Sequence, residues 1–149
     1  MVISTNRNVT AVVAGVAILW LSAITGAQSG SETFKIRLTT VPIDFVEAPN
    51  VTGSGSATAT LAGDTVTISG TFDGLHGPAT TAHVHRGRAK GVRGAVIADL
   101  TVTKGTSGRI SGTVKLTSAQ IEAVKSGMIY VQINSEAATE GNLWGWLLK

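Results

Sequence analysis

The chain has no cysteine. Disulfides, thiolate metal sites and a cysteine nucleophile are therefore excluded, and packing and sheet hydrogen bonds must hold the fold. Histidine is scarce too: there are three, at positions 76, 83 and 85. The sequence shows no serine-centred glycine elbow and no paired carboxylates suited to acid–base work. No internal repeat or low-complexity tract is evident. Only one long apolar run occurs, Val9 to Leu21, and Arg7 is the single charge before Glu32.

That run gives the N-terminus the order of a secretory signal: a basic residue, an apolar stretch, then small residues. Cleavage is expected after Ala27, with Ala23 as the second choice. The competing reading is a retained membrane anchor, but the run is shorter than the roughly 20 residues a spanning helix needs. With no cysteine near the cut, a lipid-anchored lipoprotein is excluded. Residues 28–33 then read as a linker and 34–149 as one domain. The full chain carries 12 Lys+Arg and 9 Asp+Glu. Loss of Arg7 leaves 11 − 9 = +2, which does not by itself imply a nucleic-acid partner. An exported domain without disulfides suits a bacterial envelope, so the expected location is periplasmic or secreted, with no membrane contact after cleavage.

Beyond Ser31 the chain is rich in Thr, Val, Ile, Ser and Gly, the usage of an all-β domain. Phe34 to Thr40 places Phe34, Ile36 and Leu38 on one face. Segments 55–61 and 65–72 alternate cleanly around the turn Ala62-Gly63-Asp64, the clearest hairpin in the sequence. Residues 42–52, with two prolines, read as a loop, and 80–85 as a strand. Strand 95–104 is expected to turn Val96, Ala98, Leu100 and Val102 inward, and strand 109–116 follows it. Thr117-Ser118-Ala119-Gln120 has capping-box form, so one short helix is expected near 117–126, stopped by Gly127. Strands 128–135 and 143–148 complete the chain. About eight short strands at regular spacing predict an antiparallel two-sheet β-sandwich with Greek-key-like connections.

The most informative stretch is residues 74–97. His83 and His85 are two apart on a strand, so both rings leave the same face while Ala82 and Val84 point to the core. Gly87, Gly91 and Gly94 follow, among Arg86, Arg88, Lys90 and Arg93. Two readings stay open for the histidines. They could hold copper or zinc with His76 as third ligand and Asp73, Glu136 or Glu140 as a fourth. Alternatively, they hydrogen-bond nearby loops and fix the glycine-rich turn. The four cations suit phosphate groups, an anionic polymer or an acidic extracellular protein, or form a solvated loop. Nucleic acid is not expected, because no aromatic residue interleaves with them. Trp144 and Trp146 share one face of the last strand and Leu143 and Leu147 the other. Either the indoles form an outer patch that a partner could use, or at least one enters the core.

The order Gly77-Pro78, Thr81-Ala82-His83-Val84-His85, a glycine loop, Gly94 and Leu116-Thr117 runs on to Gly127, Tyr130-Val131 and Glu140-Gly141-Asn142-Leu143-Trp144-Gly145. This order resembles the CHRD domain of chordin and of many exported bacterial proteins, over about residues 34–148. The resemblance implies a β-sandwich with no established enzymatic activity, and no cofactor is expected unless the histidines hold copper or zinc. It marks His83, His85, Gly87, Gly94, Gly141 and Gly145 as motif residues. In chordin, such domains belong to a protein that binds growth factors. The family usually has an arginine where Trp144 stands and a polar residue near Trp146, so a partner contact through that arginine is not carried over. A weaker, local resemblance links Ala82 to Gly87 with copper-zinc superoxide dismutase, in which a His-x-His strand supplies copper ligands. The other histidine and aspartate ligands of that enzyme have no counterparts here.

Overall fold

The computed structural model describes residues 30–42 and 48–149. The expected signal segment, the start of the linker and part of the 42–52 loop lie outside the described residues. Among the described residues there are eight strands, one α-helix and a short 3-10 turn at Ala48–Asn50. The strands and the α-helix are β1 (Glu32–Thr40), β2 (Ser54–Ala62), β3 (Thr65–Asp73), β4 (Ala79–Ala89), β5 (Val92–Val102), β6 (Gly108–Lys115), α1 (Ser118–Lys125), β7 (Ile129–Ser135) and β8 (Leu143–Trp146). Among the described residues no helix is long and apolar enough to cross a membrane.

Period-two alternation explains most of these strands. In β1, Phe34, Ile36 and Leu38 are buried between exposed neighbours. In the β2–β3 hairpin, Ala62 pairs with Thr65 across two turn residues. Gly63 takes φ +60° while Asp64 keeps a negative φ, the pattern of a type II′ turn. Thr117 and Gln120 form the expected capping box, the Thr117 N–H donating to Gln120 Oε1 at 2.8 Å. Val124 and Ala123 dip into the core from the helix.

The strands do not form the expected two-sheet sandwich. They close into an antiparallel barrel in the order β1-β2-β3-β6-β5-β4-β7-β8. Two strands make the closure. β1 pairs with β2 over Glu32–Leu38, then with β8 at Thr39 and Thr40. β5 pairs with β4 over Val92–Leu100, then with β6 at Thr101 and Val102. Each seam is only two register pairs long, made where one strand bends from one half to the other. Alternation along a strand fixes its inner face but not its lateral partner. The sandwich expectation and the barrel therefore share nearly the same buried residues. The order is non-sequential because β3 neighbours β6 and β4 neighbours β7.

A second correction concerns β5. Val84 pairs with Ala98 but His85 pairs with Val96, leaving Ile97 as an extra residue. A bulge of this kind reverses the alternation beyond it. Val96, expected inside, is 51% exposed on the same face as His85.

Candidate functional site

The barrel has a second buried layer on its outside. β4, β7 and β8 are neighbours there, and their outward residues fall into cross-strand rows. His85 pairs with Tyr130, and Tyr130 with Trp146. His83 pairs with Gln132, and Gln132 with Trp144. Val84 between the histidines is fully buried in the barrel core. Both rings therefore project outward, as the spacing requires. Leu143 and Leu147 enter the core, which sends Trp144 and Trp146 to the outer face. Trp144 is nonetheless buried, because Val41, Val51 and Ala138 from covering segments pack against this layer.

Tyr130 is the centre of the layer, at 1% exposure. Its ring stacks on His85 with centroids 4.7 Å apart and planes 12° apart. Trp146 lies 4.6 Å away on a tilted plane and Trp144 5.6 Å away edge-on. Aromatic pairs in such geometries add about 0.5–1.5 kcal/mol each beyond the area they bury.

Gly94 ties this layer to the hairpin of β4 and β5. Its N–H donates to the Tyr130 hydroxyl at 3.2 Å, and its carbonyl accepts from His85 Nδ1 at 3.2 Å. A carbonyl can only accept, so Nδ1 carries the ring proton. His85 Nε2 is then a bare nitrogen, buried with no partner among the described residues. Burial holds the His85 imidazole below its ordinary value, against the raising effect of the Gly94 carbonyl; His83 and Arg93 push in the same direction as burial. The two motif glycines of the hairpin are needed for close approach. A Cβ on Gly94 would run into the Arg86 carbonyl, and one on Gly87 would sit 2.6 Å from the Trp146 ring. Gly141 faces the Gln132 side chain, and Gly145 packs on Ile36 and the Arg37 backbone.

The structure does not assemble the three-histidine set of the metal reading. His76 is exposed in the β3–β4 connection. His83 and His85 stand edge to face with centroids 5.8 Å apart, and His83 Nε2 lies 3.6 Å from Asp99. Among the described residues, no three His, Cys, Asp or Glu side chains come close enough to share a metal. His85 uses one ring nitrogen on Gly94 and buries the other, so these residues do not fit a copper or zinc centre of that design.

The basic segment Arg86 to Arg93 is not a loop. β4 runs on to Ala89 and β5 begins at Val92, joined by the two-residue turn Lys90-Gly91 with Gly91 at φ +75°. Arg86, Arg88, Lys90 and Arg93 are all exposed. Among the described residues none of them pairs with a carboxylate. Arg93 Nη1 donates to the Glu140 carbonyl at 2.7 Å.

Sequence reasoning missed one network. Asn142 is fully buried and receives the Ser135 hydroxyl at 2.9 Å, while its amide donates to the Thr52 carbonyl. It pins the β7–β8 loop to the segment covering the aromatic layer. Its place inside a Glu140-Gly141-Asn142 turn disguised it as an ordinary loop residue.

A family model, the CHRD domain, matches residues 34–147. The chain belongs to the CHRD family. The match takes in every strand, starting two residues into β1. CHRD is not a known enzyme family, and membership supports a structural or binding domain. No match was found among the curated proteins or the solved structures.

Proposed function

We propose that this CHRD protein is an exported, non-enzymatic binding module that meets an anionic partner through its β4–β5 hairpin. The observation that carries this reading is the pairing of a fixed root with a free tip. At the root, His85, Tyr130 and Gly94 are locked together by stacking and hydrogen bonds. At the tip, four cations stand exposed without a carboxylate partner among the described residues. A rigid hairpin that keeps its charges solvated loses little conformational freedom when a partner arrives. The N-terminal pattern of a secretory signal supports a periplasmic or secreted location, where anionic polymers and acidic proteins are available.

The test is retention of the purified protein on dextran sulfate. The wild type should elute at a salt concentration that marks several ionic contacts. The variant Arg86→Ser, Arg88→Ser, Lys90→Ser, Arg93→Ser should elute in the wash while keeping the wild-type circular dichroism spectrum. Equal elution of the folded variant and the wild type would refute the hairpin as the contact surface.

A further inference from the structure

The hairpin carries apolar surface as well as charge. Among the described residues the exposed large hydrophobic side chains are Val92 at 47%, Val96 at 51% and Leu148 at 52%. Two of these three stand on β5, Val92 among the hairpin cations and Val96 on the His85 face. Val92 also lines an open trough of about 720 Å³ together with Arg86, Arg88, Arg93, Ala95 and Ile97. We propose that this trough docks an acidic protein surface whose apolar side chains sit on Val92 and Ile97, while its carboxylates meet the surrounding guanidinium groups. The proposal rests on the reading of the hairpin as an anion-contact surface and names the class of partner.

The chemistry favours protein over polysaccharide. Protein interfaces join an apolar centre to arginine, which is enriched at their energetic centres and pairs with carboxylates through two parallel hydrogen bonds. A sulfated sugar chain would use the cations and gain little from Val92 and Ile97. Contact through side chains suits the backbone here. β5 has β4 on one side over Val92–Leu100 and reaches β6 only at Thr101 and Val102. That open edge is interrupted by the bulge, and Gly94 turns both its N–H and carbonyl to Tyr130 and His85. A continuous added strand would have to cross the bulge.

The experiment measures fluorescence anisotropy of two labelled peptides with the purified protein. One alternates four Glu with four Leu, and the other alternates four Glu with four Gly. The Glu-Leu peptide should bind about tenfold tighter, the gain from covering one or two apolar side chains. Val92→Ser should remove that advantage and leave the Glu-Gly peptide unchanged, and Val96→Ser, on the His85 face, should keep it. Arg86→Ser with Arg88→Ser should weaken both peptides. Equal affinity for the two peptides, alongside retention on dextran sulfate, would overturn the protein partner and leave a general polyanion surface. Failure of both peptides and of dextran sulfate would overturn the anion-contact reading itself.

Discussion

Replacing Tyr130 with alanine should destabilise the protein by about 3–5 kcal/mol, the range for deleting a large buried aromatic ring. The residue is 1% exposed and touches His85, Trp144 and Trp146 at once. No neighbour is placed to fill the space, since all three rings are held by their own strands. Tyr130→Phe keeps the ring and removes only the hydroxyl that accepts from the Gly94 N–H. That change should cost about 1 kcal/mol. Urea denaturation of the two variants checks both values. A loss below about 1 kcal/mol for the alanine variant would mean that the outer layer contributes little to the fold.

Gly94→Ala should be the second most damaging of the changes considered, at about 1–3 kcal/mol or more. Its new Cβ meets the Arg86 carbonyl, which is backbone and has no rotamer to escape into. β4 and β5 would have to separate at the root of the hairpin. The bonds from His85 and Tyr130 to Gly94 would stretch with them. Ala95→Ser, one residue along and exposed, should stay within about 0.5 kcal/mol. Thermal melts of the pair give the comparison. A Gly94→Ala variant as stable as Ala95→Ser would show that the hairpin root tolerates a side chain.

Much of this fold was legible in the sequence because strand alternation is a local signal. Phe34, Ile36 and Leu38, the Gly63-Asp64 hairpin and the Thr117 capping box all stand where periodicity and turn chemistry place them. Barrel closure was not legible, since it depends on two-pair seams made by β1 and β5 far apart in sequence. Val96 was misplaced because one inserted residue, Ile97, reverses the faces without altering composition. In the candidate site, the outward direction of His83 and His85 followed from their spacing. Their surroundings did not, because Tyr130 and the tryptophans come from strands more than 40 residues away (a signal did exist in the apolar run Ile129-Tyr130-Val131 that opens β7, which fits a strand covered on both faces). The fate of His76 could not be read, because nothing in a loop sequence fixes where its side chain points.

The central structural claim is that His85 is a buried, neutral imidazole that anchors the cationic hairpin. Burial lowers its value in the folded state, so the unfolded chain takes up the proton first as pH falls. The contribution of His85 to stability is therefore fully present above the ordinary imidazole value of 6.5. It declines as pH drops from there toward the folded value. The direct measurement is an NMR pH titration of the His85 ring in the intact protein. The account predicts a midpoint below 6.5, with Nδ1 protonated and Nε2 bare on the alkaline side. A midpoint at or above 6.5, or a ring that does not titrate until a chelator is added, would contradict it.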